Sequence, residues 1–229
     1  MRHKWLFKAK KESLIIFFNG WGMDCTPFAG METVDYDVLM FYDYKNLDIE
    51  SYLVEECARY KNTVLIGWSF GVWAAAQVGN KFNPQRCIAV NGTPFAIHER
   101  FGIPSKLYDL TLSTLSEKTL LLFYKNMFIN SEGEDNFSKF LEKMPKRELQ
   151  EQKEELLLIK EQVLAGESKD PESKDIMSFD TAIIGKHDRI IPSKNQLYYW
   201  KSQPNTRHTI IDAPHFLFDL FKNWDDLVG

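Results

Sequence analysis

VLIGWSFGVWAAA, residues 64–76, changes character at its centre. Val64, Leu65 and Ile66 form a short apolar run suited to a buried strand, while Val72–Ala76 have the composition of a helix. Ser69 stands on the corner between them, flanked at two residues' distance by Gly67 and Gly71. A serine on so tight a strand-to-helix turn takes a strained backbone conformation that lifts its hydroxyl clear of the sheet, and it needs small neighbours to avoid clashes. The G-x-S-x-G spacing therefore predicts a nucleophile rather than an ordinary Gly-Ser turn.

Working outward, short apolar runs alternate with amphipathic stretches, the pattern of βα units that build a mostly parallel sheet. Strands are expected at Leu14–Phe18, Asp37–Phe41, Thr63–Ile66, Cys87–Val90, Ala182–Ile184 and Thr209–Ile211, with helical spacing over Ile49–Tyr60 and Val72–Val78. From about Glu99 to Phe179 the rhythm stops and only helical patterns remain: LTLSTLSEKTLLLFYKNMF (110–128), NFSKFLEKM (136–144) and KRELQEQKEELLLIKEQVLAG (146–166). Pro145 suits the first turn of the last helix and Gly166 its end. The polar run ESKDPESKD (167–175) reads as a mobile connection back to the sheet. The expected organisation is an α/β core, residues 1–98 and 180–229, with a helical cap, residues 99–179, inserted before the acid-bearing strand.

A serine hydroxyl is a poor nucleophile near neutral pH unless an adjacent base takes its proton and a third group orients that base. In the α/β-hydrolase chain order the acid and then the histidine follow the serine. His3 precedes Ser69 and lies near a chain end expected to fray. His98, His187 and His208 follow it, but His215 is best placed, in a turn just after the last strand in TIIDAPHFLFD (209–219). The carboxylate should lie at the end of the preceding strand, where AIIGKHDRIIP (182–192) offers Asp188. Asp43 and Asp212 are the fallbacks.

Acyl transfer also needs two N–H groups aimed at the developing oxyanion. One belongs to the residue after the nucleophile, Phe70; the other is expected from FFNGWGMD (17–24), most naturally the amide of Trp21. The side chains of Trp21 and Trp68 are then free to wall an apolar acyl pocket.

The 229 residues carry 44% hydrophobic and 26% charged residues, enough for a substantial core, and a formal net charge of −4, which gives no overall attraction to nucleic acid or anionic membrane. Cys25, Cys57 and Cys87 lack disulfide-framework or zinc-type spacing and read as free thiols. No window approaches the roughly 20 apolar residues that span a bilayer. A cytoplasmic protein without metal or organic cofactor is expected, and the sequence leaves its oligomeric state open.

NGWGMD (19–24), GWSFG (67–71), NGTPFAIHERFGIP (91–104), GKHDRIIP (185–192) and DAPHF (212–216), in this order, resemble the BioG-type pimeloyl-acyl-carrier-protein methyl ester esterases. The resemblance runs over essentially the whole chain. It implies an α/β-hydrolase of biotin biosynthesis, with Ser69, Asp188 and His215 matching the triad, that removes the methyl group from a pimeloyl-acyl-carrier-protein methyl ester. More distant BioH-type esterases usually have His where this chain has Asn19. It also implies an acidic carrier protein as partner, hence a locally basic docking face. Acidic residues outnumber basic ones over 99–180, so only local groups qualify: Lys139 and Lys143, Lys146 and Arg147, Arg100 and Lys106. The triad residues leave open a free small ester, an acyl thioester or a carbon–carbon bond as substrate, or a non-catalytic binding protein on the same fold.

Overall fold

The computed structural model describes residues 1–129, 133–166 and 176–229; the 167–175 connection lies outside the described residues. Seven strands form one sheet in the order β1-β3-β2-β4-β5-β6-β7. They are β1 (Arg2–Phe7), β2 (Ser13–Phe18), β3 (Tyr36–Tyr42), β4 (Asn62–Trp68), β5 (Arg86–Val90), β6 (Thr181–Gly185) and β7 (Arg207–Ile211). All neighbouring pairs are parallel except β1 with β3. Helices α1 (Ser51–Cys57) and α2 (Phe70–Val78) make the crossovers of the first half. Leu14–Phe18 and Val38–Phe41 are buried on both faces, which is why they read as unbroken apolar runs rather than as alternation.

The chain start does not fray. RHKWLF forms an edge strand on β3, with Arg2 opposite Tyr42 and Trp5 opposite Leu39. Its Arg and Lys residues hid it from a search for apolar runs, yet they suit an edge strand, where charge discourages pairing with another chain.

Between β5 and β6 lie α3 (Ser105–Thr114), α4 (Glu117–Asn126), α5 (Gly133–Leu141) and α6 (Leu149–Gly166). The single helical pattern expected over 110–128 is broken in two. Leu115 turns extended, and Ser116 begins α4 with a capping box shared with Thr119. Likewise α6 starts at Leu149 rather than just after Pro145, because the Lys146 N–H is taken by Asp24 Oδ2 at 2.7 Å and the Arg147 side chain turns inward. Two further helices complete the core, α7 (Ser193–Lys201) after β6 and α8 (Asp225–Val228) at the chain end. Among the described residues no helix is long and apolar enough to cross a membrane. Cys25, Cys57 and Cys87 are free thiols, the last two buried.

The strand order sets the site. From β2 the chain moves outward to β3, then crosses back to place β4 on the other side of β2, so the loops at the carboxyl ends of β2 and β4 diverge and leave a crevice.

Candidate active site

Ser69 occupies the corner between β4 and α2 with φ 58° and ψ −125°, a left-handed conformation that non-glycine residues rarely adopt. Its N–H donates to Val90 O at 3.0 Å, pinning the corner to β5. A Cβ on Gly71 would lie 2.0 Å from the Phe18 carbonyl oxygen, and one on Gly67 would lie 2.8 Å from Val72 Cα. Both contacts are with backbone, so the G-x-S-x-G glycines are required by the close approach of α2 to the sheet.

His215 lies in the turn after β7, its Nε2 3.0 Å from Ser69 Oγ and its Nδ1 2.8 Å from Asp188 Oδ2. An ionised carboxylate only accepts hydrogen bonds, so Nδ1 carries the proton and Nε2 is free to accept the serine hydroxyl. Ser69, Asp188 and His215 are 5%, 6% and 1% exposed. Asp188 is held from four directions: Oδ1 accepts from the amides of Ile190 and Ile191, and Oδ2 accepts from Gln196 Nε2 and His215 Nδ1. The other candidates do not join this line. His187 pairs with Asp212 on the surface, His98 accepts from the amides of Arg100 and Phe101, His3 lies near Glu50 on the edge strand, and Asp43 faces arginines elsewhere.

The loop after β2 is closed by Asn19, fully buried: its Oδ1 accepts from the Gly20 amide at 2.8 Å and its Nδ2 donates to Asp24 O at 3.1 Å. The amides of Trp21 and Phe70 have no acceptor among the described residues. The Trp21 ring packs edge-on against Phe123, with its Nε1–H donating to Gln152 O at 2.9 Å.

Trp68 departs from expectation. Rather than walling an acyl pocket, it is 1% exposed beneath the histidine, its ring 5.3 Å from that of His215 and its Nε1–H donating to His215 O. It points into the core beside Phe216 and Phe218 because it is the last residue of a buried strand.

Two supporting residues escaped the sequence reading. Asn91, fully buried at φ 45°, donates from Nδ2 to Pro214 O and His215 O and accepts the Gly185 amide, tying the histidine turn to β6. Gln196 on α7 bridges Asp188 and Ile191 O. The Asn-Gly-Thr-Pro segment and the helix following the acid loop were the available signals.

A cleft of about 120 Å³ opens between Trp21 and Phe70 on one side and Ile103, Tyr108, Phe123 and Leu156 on the other, with Asn126 and Arg189 as polar groups in its wall. Burial pushes the Tyr108 hydroxyl well above its ordinary range, so it stays protonated and donates to Leu156 O at 2.7 Å. A larger hollow of about 410 Å³ is bounded by Trp73, Phe95 and Val163. Trp21 and Phe70, the neighbour of Ser69, line the smaller cleft and neither lines the larger, so the smaller cleft is the one next to the Ser69 corner.

Comparison with solved structures places the fold among the α/β-hydrolases: a bromoperoxidase from Bacillus anthracis, 15% identical, superposes over 95% of this chain and 89% of its own with a TM-score of 0.65. The chain is a carboxylic ester hydrolase. It belongs to the family described as pimeloyl-ACP methyl esterase BioG, whose model matches residues 1–227. The crystal structure of BioG from Haemophilus influenzae matches over the full length of both chains at 26% identity, with a TM-score of 0.84. A malonyl-[acyl-carrier protein] O-methyltransferase from Bacteroides fragilis is 39% identical over 198 residues, 86% of this chain but 38% of that relative, so the chain spans about two fifths of its length.

Proposed function

We propose that the enzyme hydrolyses the methyl ester of a pimeloyl-acyl-carrier-protein methyl ester by acyl transfer through Ser69, releasing methanol and the free carboxylate on the carrier in biotin synthesis. The observation that carries this is the unbroken line Asp188–His215–Ser69 at the edge of a cleft lined by Trp21 and Phe70, whose amides have no acceptor among the described residues, in a chain of the methyl esterase family. His215 Nε2 takes the Ser69 proton as Oγ attacks the ester carbonyl, and Asp188 steadies the imidazolium. The oxyanion is received by the amides of Phe70 and Trp21. Methanol leaves with the proton from His215. Water, deprotonated by the same nitrogen, then attacks the acyl-serine and frees the product.

Residues 99–179 act as a cap whose helices α3, α4 and α6 roof the acyl cleft. The cleft is mostly apolar, which suits a methylene chain. The acidic carrier docks on exposed Lys139, Lys143 and Lys146, or at the cap entrance on Arg100 and Lys106. Arg147, a candidate for the same surface from the sequence, is 8% exposed and already paired with Asp43 and Glu155, so it takes no part in docking.

The test is mass spectrometry of the enzyme with pimeloyl-acyl-carrier-protein methyl ester, beside Ser69→Ala and a simple ester. Loss of about 14 mass units, the ester methyl replaced by hydrogen, with wild type alone supports the reading. Survival of the carrier ester while the simple ester is cleaved overturns the substrate and leaves the esterase.

A further inference from the structure

Helix α6 reaches from the far side of the cleft into the loop after β2. Glu155, fully buried, accepts the Tyr44 amide on Oε1 at 2.9 Å and the Gly22 amide on Oε2 at 3.4 Å. Tyr44 in turn donates its hydroxyl to Asn19 O at 2.6 Å, at the base of the same loop. One helical turn earlier, Gln152 O accepts the Trp21 indole N–H, and Gln152 Nε2 donates to Arg147 O at 3.0 Å. Gly22, at φ 72°, lies so close that a Cβ there would meet Gln152 Oε1 at 2.5 Å. The amides on either side of Trp21 are thus both occupied, Gly20 by Asn19 and Gly22 by Glu155, and the Trp21 amide between them is left without an acceptor among the described residues.

The charge at this position has a cost that its packing does not explain. Arg147 pairs with Glu155 Oε2 and, at 3.1 Å, with Asp43. An apolar pair of similar volume commonly holds a helix on a sheet as well as a buried ion pair does, or better. What an apolar pair cannot do is accept two backbone N–H groups from two different loops. A carboxylate has an oxygen for each; a glutamine has only one carbonyl oxygen, and its amino group faces the second N–H as donor to donor.

We propose that Glu155 is a positioning residue of the ester hydrolase, fixing the 19–24 loop through the Gly22 and Tyr44 amides so that the Trp21 amide faces the oxyanion. This rests on the assignment of Ser69 and the Trp21 amide made above. It makes the oxyanion hole a joint product of the sheet and the helices between β5 and β6.

The experiment measures p-nitrophenyl butyrate hydrolysis, inhibition by an alkylboronic acid that forms a tetrahedral adduct on a serine, and thermal unfolding. The proteins are wild type, Glu155→Gln, Glu155→Asp, the paired Arg147→Met/Glu155→Leu, and Ser69→Ala. The paired variant removes Glu155 together with its arginine, and Asp43 keeps Arg2 at 3.1 Å, so it keeps the test informative if Glu155→Gln folds poorly. The expected result for Glu155→Gln and for the paired variant is kcat lower by on the order of 10- to 100-fold, from displacement of a positioned donor. KM should change by less than about twofold, because the donor acts on the transition state rather than on the bound ester. Boronate affinity should fall in step with kcat, and Glu155→Asp should recover part of both. A folded paired variant with wild-type kcat and boronate affinity overturns the proposal. Wild-type hydrolysis by Ser69→Ala overturns instead the reading on which it rests.

Discussion

The sheet and the helices between β5 and β6 contribute to the same site in different ways. The sheet carries the hydrogen-bonded line of Ser69, His215 and Asp188, each on a loop at the carboxyl end of a strand. The helices deliver groups that hold other groups: Gln152 on the Trp21 indole, Glu155 on the Gly22 and Tyr44 amides, Tyr108 on Leu156. Reacting groups need an exposed, strained or tightly turned backbone, which is a local property. Supports need only the right polar atom at the end of a long-range contact, and the Gln152 and Glu155 contacts span 131 and 133 residues of sequence.

Several substitutions would break or sharpen that contrast. The largest effect belongs to the sheet. Ser69→Ala or His215→Ala should lower kcat by on the order of 10⁵- to 10⁶-fold, with no further loss when both are combined, because the two act as a unit. Asp188→Asn should cost on the order of 10⁴-fold, since the amide leaves His215 in the wrong tautomer. Steady-state hydrolysis of a chromogenic ester reads all of these, and additive losses would break the account of a single line.

The next effect belongs to the helices and reads out as stability. Arg147→Met alone strands the Glu155 carboxylate in a buried setting, while Asp43 keeps Arg2, and should cost about 3–5 kcal/mol, as is typical for removing one partner of a buried pair. Burial opposes the Arg147 charge, but Glu155 and Asp43 outweigh it and raise its pKa above the ordinary arginine range. Burial also raises Glu155, against the pull of Arg147 and the Tyr44 amide. Denaturant titration should therefore find the single variant much less stable than the paired Arg147→Met/Glu155→Leu variant; equal stability would remove the buried network from the account.

A smaller effect has the opposite sign. Ser69→Gly should abolish activity but relieve the positive φ, so its melting temperature should rise by about 2 °C, as expected for strain stored at this corner. A drop would mean that the corner is not strained.

The smallest effect is chemical. Burial pushes the Cys57 and Cys87 thiols up to about 12. The folded state then holds protons that the unfolded state releases from about pH 8.5 upward. These thiols contribute stability that is complete below that pH and is lost as pH rises toward 12. Iodoacetamide at pH 8 should leave both unmodified in the folded enzyme and modify both after denaturation, as peptide mapping would show.

What was legible in the sequence follows the same division. The six parallel strands announced themselves as apolar runs, and the three residues that meet, Ser69, Asp188 and His215, by turn chemistry and chain order, because in each case the neighbours in sequence determine the geometry. β1 did not, since an edge strand needs no apolar run. Trp68 was misplaced because its composition says only that it is large and apolar; the strand end turns it beneath His215. In the helical region the 110–128 pattern concealed the break that Ser116 makes at α4, and Arg147 looked like a surface charge. Glu155 looked like one of several solvated acids on a helix, and only its partners near Gly22 and Tyr44 distinguish it. Asn91 and Gln196 are likewise defined by what lies across the fold from them.

The most direct test of the central claim, that Ser69 is the nucleophile of this esterase, is peptide mapping by mass spectrometry after treatment with a fluorophosphonate. The account predicts one adduct, on the peptide carrying Ser69, with none in Ser69→Ala and very little in His215→Ala. An adduct on another residue, or a folded and active enzyme that takes no label, would contradict it.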